Sequence, residues 1–177
     1  VGKSDREIYD AMQLGIEAFN CESLQEIFVI NEMAHLHGMK ASISVRINPD
    51  IDAHTHKYVT TGLYENKFGI SQHEFDKLID VLKKSGHINF IGLHFHIGSQ
   101  ITRVEEVFGL ECKRVNEIVA YFERNGLEVK NINLGGGLGV DYDDPDENQI
   151  PDFEAWFRTI SENISRREDQ TVHVEPG

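Results

Sequence analysis

Apolar residues recur at helical spacing along much of the chain. After Ser71, for example, Phe75, Leu78, Ile79 and Leu82 fall at i, i+3, i+4 and i+7, and Gly86 follows as a helix stop. Four Ser/Thr-x-x-Glu boxes precede such stretches, and each can satisfy free amides at a helix start. The boxes are Ser4 with Glu7, Ser23 with Glu26, Ser71 with Glu74, and Thr102 with Glu105. A fifth helix is predicted over about 153–167.

Short β-rich runs separate the predicted helices. They cover residues 16–21, 41–47, 89–95, 129–134 and 171–174. Several of these runs lack regular alternation of polar and apolar residues, which favours strands covered on both faces. Strands that alternate with helices in this way indicate a parallel sheet with crossover helices.

Polar residues and glycines follow four of the predicted strands in succession. They are Asn48 and Pro49, His96 to Ser99, Gly135 to Gly137, and Glu175. Functional residues at the ends of many strands are typical of a (β/α) barrel. In an open doubly wound sheet they are concentrated at one switch point. We therefore predict a partial (β/α)8 TIM barrel, an α/β fold with about five parallel strands. A closed barrel needs about eight strands in ~250 residues, so this prediction implies further strands.

Composition and charge exclude some classes of binding partner. The chain has 177 residues, 40% of them hydrophobic, and a formal net charge of -13. Such a charge argues against a nucleic-acid surface or an anionic membrane as partner. No apolar run approaches the roughly 20 residues that cross a bilayer. Any phosphate that the protein binds must therefore be held by local groups.

The two cysteines and the chain ends add a cellular context. Cys21 and Cys112 are too few and too far apart for a disulfide framework or a zinc knuckle, so we interpret both as reduced thiols in a cytoplasmic protein. There is no basic-then-apolar signal pattern at the start. The chain begins at Val1 and stops at Gly177 directly after a predicted strand, and we expect it to be cut at both ends.

Two small-residue turns are candidates for phosphate binding. The run GGGLG at 135–139 exposes backbone amides, and Ser99 follows Gly98 in a second turn at the next strand. The dinucleotide fingerprint fails because Val140 stands where its last glycine is required. The alternative for each turn alone is a structural one, a tight connection without a ligand.

Histidines and one carboxylate complete the candidate chemistry. His94 and His96 share a face if the chain is extended, so they are either metal ligands or buried hydrogen-bonded histidines. A metal would need more ligands, and His173 is the only other histidine on a predicted strand. Glu175 is either a structural residue before Pro176 or the partner of a cationic ring nitrogen.

The connection at 48–70 is long for this fold, and long connections are often functional. It carries the polar side chains His54, His56, Lys57, Asn66 and Lys67. A solvated excursion without a function is the equally weighted alternative.

Three segments together resemble the fold-type III pyridoxal-phosphate decarboxylases: HFHIGSQ at 94–100, INLGGGLGVDY at 132–142 and VEPG at 174–177. The resemblance extends to GKSDREI at 2–8, FNCES at 19–23 and the run from Arg46 to Ser71. It implies pyridoxal 5'-phosphate as the cofactor. His96 would stack on the pyridine ring as the catalytic support, and Glu175 would pair with the ring nitrogen. The phosphate would be held by Ser99, Gly135, Gly136, Gly137 and Gly177, and Arg46 would point at the cofactor.

The resemblance also implies the place of this chain in a larger protein. Residues 1–177 correspond to the central part of the pyridoxal-phosphate-binding barrel domain, without the first barrel strands, their Schiff-base lysine or the C-terminal β domain. The parent is expected to be a homodimer with shared active sites. An isolated fragment of this kind is expected to be inactive and, because of its open strand edges, to self-associate.

One run refines the expected reaction. The pattern T-G-x-x-x-x-K-F-G-I at 61–70 favours the branch that decarboxylates meso-2,6-diaminopimelate to L-lysine. An arginine or ornithine decarboxylase of the same fold is the nearest alternative. A metal-dependent hydrolase that uses His94 and His96 is the alternative from another class.

Overall fold

Helices and strands alternate along the chain. The computed structural model describes residues 2–51, 68–147 and 152–177. The elements are α1 (Asp5–Leu14), β1 (Phe19–Cys21), α2 (Leu24–Leu36), β2 (Ala41–Arg46), α3 (Phe75–Lys84), β3 (Ile88–His94), α4 (Val104–Arg124), β4 (Asn131–Gly136), α5 (Phe153–Asn163) and β5 (Thr171–Glu175). All five predicted strands and the predicted helices are therefore confirmed. The expectations for His54, His56, Lys57, Asn66 and Lys67 fall outside the described residues.

The five strands form one parallel sheet in the order β1-β2-β3-β4-β5. Each strand pairs with the next one in the chain, and the order does not reverse within the described residues. A doubly wound sheet would reverse at its switch point. The sheet thus has the arrangement of consecutive strands in a (β/α) barrel, as predicted.

Two of the four predicted caps, Ser4 and Ser23, lie directly at the start of an α-helix. Ser4 and Glu7 form a complete capping box on α1. Ser23 accepts a hydrogen bond from the Glu26 amide at 3.2 Å, and Ser71 caps a short 3-10 turn (Gln72–Glu74) before α3. The box predicted at Thr102 is wrong, because α4 begins one residue later, at Val104, and has no side-chain cap. Backbone hydrogen bonds hold Ile101 at this point and displace the helix start.

A bulge in β3 changes which side chains of this strand face the helices. The register between β2 and β3 shifts after Ile43, which pairs with Phe90, so that Ser44 pairs with Gly92 and β3 has one extra residue. An extra residue in one strand moves every later side chain of that strand to the opposite face of the sheet. As a result Phe90 contacts Phe122 of α4, although it lies three residues before the buried Leu93.

One face of the sheet packs against the helices. Buried strand residues and helix residues form a single apolar core there, including Ile43, Leu93, Ile132, Ile30, Phe122 and Trp156. The strand register places a polar row on neighbouring strands at one level: Arg46, His94, Asn133 and His173. Polar and ionisable side chains therefore lie close together near the carboxyl ends of β2 to β5.

Two further findings bear on the expected environment. Cys21 and Cys112 are both free and buried, and burial raises the pKa of each thiol to about 12. Neither thiol ionises near neutral pH, so neither is a reactive nucleophile. In the part of the chain that the structure describes, no helix is long and apolar enough to cross a membrane.

Candidate functional site

A cavity of about 690 Å³ opens at the carboxyl ends of the last three strands. Small-molecule sites typically have volumes of about 300–1,000 Å³. Five of the residues predicted from the sequence line this cavity: His96, Ser99, Gly137, Glu175 and Gly177. Residues far apart in the chain therefore converge on one space large enough for a cofactor.

The glycine turn, Gly135 to Gly137, reaches the β4 side of this cavity through Gly137, whereas Gly135 and Gly136 do not line it. A Cβ atom at Gly136 would overlap the carbonyl oxygen of Glu175, and one at Gly137 would overlap that of Gly98. Gly137 also has a φ of 93°, which side-chain-bearing residues rarely adopt. Close approach of three strand ends thus requires glycine here, whether or not a ligand binds. The structural interpretation of the turn and the phosphate interpretation are compatible.

Hydrogen bonds join the turn after β3 to the glycine turn. The Ile101 amide donates to the Gly137 carbonyl and the Gly139 amide donates to the Ile101 carbonyl, both at 2.9 Å. The Gln100 side chain donates to the Val140 carbonyl at 2.5 Å and accepts from the Val140 amide at 3.1 Å. Sequence reasoning missed Gln100, although its position next to Ser99 is a signal. The two small-residue turns therefore form one unit, as a shared phosphate cradle requires.

Glu175 presents its carboxylate at the edge of the cavity. Its side chain is 57% exposed, and its Oε1 accepts a hydrogen bond of 2.7 Å from Nδ2 of Asn133. The Nε2 atom of His94 lies 4.0 Å from the same oxygen, which is beyond hydrogen-bond distance. Glu175 is thus held from one side and open toward the cavity on the other.

His94 is buried and behaves differently from His96. Burial lowers the pKa of His94 to about 4, against which the nearby Glu175 carboxylate raises it. His94 is therefore neutral at pH 7. Its Nδ1 atom is buried and has no hydrogen-bond partner among the described residues. His96, in contrast, lines the cavity.

The metal-site alternative lacks ligands. Among residues 2–51, 68–147 and 152–177, no group of three or more His, Cys, Asp or Glu side chains is arranged to hold a metal ion. His94 instead lies against Glu175, and His96 lies beside the glycine turn, where its Nδ1 would be 3.1 Å from a Cβ atom at position 135. Their shared face therefore indicates a common pocket rather than a common metal.

Arg46 lies beside the site but does not line the cavity. Its guanidinium pairs with Glu22 at 2.9 Å and lies 5.5 Å from the centre of the Phe68 ring. Arg46 is next to His94 in the strand register. In this structure, Arg46 is held at the end of β2 by side chains of the protein itself.

The residues present fit a phosphorylated pyridine cofactor. The Ser99 hydroxyl and the backbone at Gly137 and Gly177, both with positive φ, line this cavity and suit a phosphate. The Glu175 carboxylate, at the same cavity, suits a protonated ring nitrogen. The His96 ring lines the same cavity and offers a flat surface against which a pyridine ring can pack.

The sheet has consecutive barrel strands with a glycine turn and an acidic residue at their carboxyl ends. These features define the class of the protein: a barrel domain that binds a phosphorylated cofactor at the strand ends. The comparison with known families is specific within this class. The family described as "Pyridoxal-dependent decarboxylase, pyridoxal binding domain" matches residues 1–177. The chain belongs to this family, whose cofactor is pyridoxal 5'-phosphate.

Relatives and solved structures agree with this membership. The diaminopimelate decarboxylase of Bacteroides thetaiotaomicron is 48% identical over 177 residues, which are 100% of this chain and 46% of that protein. A diaminopimelate decarboxylase from Helicobacter pylori, solved in complex with L-lysine, has a TM-score of 0.82 and 37% identity, covering 100% of this chain and 44% of that one. An ornithine decarboxylase from Entamoeba histolytica has a TM-score of 0.69 and 26% identity, covering 99% of this chain and 43% of that one. The chain thus spans less than half the length of each of these proteins.

Proposed function

We propose that this chain is the cofactor-binding part of a diaminopimelate decarboxylase, a carboxy-lyase of lysine biosynthesis. The whole protein would convert meso-2,6-diaminopimelate to L-lysine with loss of carbon dioxide. The observation that carries the proposal is that His96, Ser99, Gly137 and Glu175 line the same cavity. The 48% identity to the Bacteroides relative supports the choice of substrate.

Each group at the cavity has a proposed role. Ser99 and the glycine turn, together with Gly177, hold the phosphate, and His96 stacks on the pyridine ring. When bound, pyridoxal 5'-phosphate supplies an electron sink for the carbanion left by decarboxylation. Glu175 keeps the proton on the ring nitrogen because its carboxylate stabilises the positive charge there. Arg46 does not line the cavity, and its proposed support of the cofactor would act from the end of β2, where Glu22 and Phe68 hold it in place.

The organisation of the whole protein follows from the same proposal. Residues 1–177 form the central part of its TIM-barrel domain, and the Schiff-base lysine and most substrate contacts come from other segments. The parent is a cytoplasmic homodimer with shared active sites. The buried, reduced state of Cys21 and Cys112 is compatible with a reducing compartment.

Two alternatives have less support. An arginine or ornithine decarboxylase has the same fold, but the ornithine decarboxylase structure is only 26% identical to this chain. A metal-dependent hydrolase needs a third ligand beside His94 and His96, and no such cluster exists within the described residues.

The reaction is tested in the full-length protein that contains this chain. We expect release of carbon dioxide and lysine from meso-2,6-diaminopimelate, with little release from ornithine or arginine. A Glu175→Gln variant should lower kcat at least about 100-fold, because a neutral amide stabilises the protonated ring nitrogen much less. A Glu128→Gln variant is the control and should leave kcat unchanged, because this side chain is 59% exposed and does not line the cavity. Decarboxylation of arginine or ornithine, but not of diaminopimelate, would refute the proposed substrate.

A further inference from the structure

Asn133, on β4, makes two hydrogen bonds that link separate parts of the site. Its Oδ1 accepts from the Gly135 amide at 2.8 Å, and its Nδ2 donates to Oε1 of Glu175 at 2.7 Å. The first bond closes a turn of two residues at the start of the glycine turn. The second reaches the end of β5. One side chain therefore contacts both the glycine turn, which is proposed to hold the phosphate, and the carboxylate that is proposed to face the ring nitrogen.

The orientation of the Asn133 amide is determined by these partners. A backbone N–H can only donate, so the oxygen of the amide must face Gly135. The NH2 group then faces Glu175, which accepts. His94 does not substitute for this contact, because its Nε2 lies 4.0 Å from the same carboxylate oxygen.

The strand register gives the link a structural reason. Asn133 pairs with His173, but Gly136 pairs with Glu175, so β4 contains one extra residue between these two pairs. A bulge of this kind leaves backbone groups without ladder partners. The Oδ1 atom of Asn133 accepts a hydrogen bond from one of them, the Gly135 amide. Its Nδ2 atom donates to Glu175 and so fixes the position of that carboxylate relative to the bulge.

We propose that Asn133 is a positioning residue that sets the Glu175 carboxylate and the glycine turn in one register, so that the ring nitrogen and the phosphate of the cofactor are recognised together. This inference rests on the proposed cofactor site. Asn133 acts through Glu175 and Gly135 and needs no contact with the substrate.

Two variants separate the two hydrogen bonds. Asn133→Asp keeps an acceptor for the Gly135 amide but places two carboxylates at hydrogen-bond distance. Such a pair shares one proton, so Glu175 no longer offers a full carboxylate to a ring nitrogen. Asn133→Ala removes both bonds. Asn131→Ala is the matched control, because Asn131 lies two residues earlier on β4 and donates to Glu17, at 3.1 Å, rather than to Glu175.

The measurement uses the cofactor-free, full-length protein and two probes, pyridoxine 5'-phosphate and benzyl phosphate, which lacks the ring nitrogen. Their dissociation constants are measured by titration calorimetry. Asn133→Asp should weaken pyridoxine 5'-phosphate binding at least tenfold and change benzyl phosphate binding less than twofold. Asn133→Ala should weaken both probes, and Asn131→Ala neither.

The outcomes distinguish this inference from the proposed reaction. Equal weakening of both probes by Asn133→Asp, or no weakening of either, overturns the positioning role even if the reaction is confirmed. A nitrogen-specific loss in a protein that does not decarboxylate diaminopimelate refutes the proposed reaction and supports the role of Asn133. A wild-type protein that does not prefer pyridoxine 5'-phosphate to benzyl phosphate overturns both proposals.

Discussion

His94 and Glu111 are buried ionisable residues whose environments are not evident from sequence. His94 was recognisable as a site neighbour from its spacing to His96, but its neutral state follows from burial that only the fold creates. Glu111, on α4, is fully buried, and both its carboxyl oxygens lack hydrogen-bond partners among the described residues. Its neighbours Leu110 and Cys112 gave no sequence signal for this, since glutamate in a helix normally faces water.

Burial raises the pKa of the Glu111 carboxyl well above its ordinary value, so the folded protein keeps this proton. The unfolded chain releases it above pH 4.5, and the stability of the fold therefore falls as pH rises past that value. A Glu111→Met variant should raise the free energy of unfolding by about 1–3 kcal/mol at pH 8, and by less at pH 5. Urea unfolding at the two pH values measures this difference.

The control for Glu111 is Glu117→Met on the same helix, where the side chain is 66% exposed. Its free energy of unfolding should change by about 0.5 kcal/mol or less at either pH. A Glu111→Met variant that is less stable than the wild type at pH 8 would show that the carboxyl is satisfied in solution.

Among the elements, the turns at the strand ends depend on tertiary contacts more than the helices do. The capping box at Ser4 involves only residues that are close in the chain, so the sequence pattern predicted it correctly. The box at Thr102 was equally good as a pattern but failed, because Ile101 is bound to Gly137 and Gly139 across the site. The glycine turn was recognised from sequence, but the reason for each glycine, contact with Phe95, Gly98 and Glu175, was not.

The glycine turn is tested by Gly137→Ala. The substitution adds a Cβ that overlaps the Gly98 carbonyl and strains a backbone with φ of 93°. We expect a loss of at least roughly 1–3 kcal/mol in the free energy of unfolding, from strain alone, and weaker binding of inorganic phosphate. Denaturant unfolding and phosphate titration measure the two effects.

Gly38→Ala is the matched control, because Gly38 has a φ of 64° but open space at the Cβ position. It should lose only about 1 kcal/mol and bind phosphate like the wild type. Equal effects of the two substitutions would mean that the close packing of the strand ends contributes nothing.

At the scale of the whole molecule, the described part of the chain forms one sheet with two edge strands, β1 and β5. Within the described residues, β1 and β5 each pair with one neighbour only. Large apolar side chains are also exposed, among them Leu14 at 83% and Leu36 at 68%. Open parallel strands and exposed apolar groups favour contact with further chain.

We therefore expect the isolated 177-residue chain to self-associate. Sedimentation velocity at increasing protein concentration should show a rising mean sedimentation coefficient. The full-length protein, at the same concentrations, is the comparison and should give one discrete species. A well-behaved monomer of the isolated chain with cooperative unfolding would contradict this prediction.

The sequence by itself determined the alternation of helices and strands, the parallel sheet, the small-residue turns and the family. These follow from local periodicity, turn chemistry and motifs such as HFHIGSQ and VEPG, which are contiguous in the chain. Only the tertiary structure decided that Asn133 contacts Glu175, 42 residues away, that Gln100 binds Val140, and that Arg46 pairs with Glu22. Such contacts depend on strand register, and a single bulge residue changes which side chains meet.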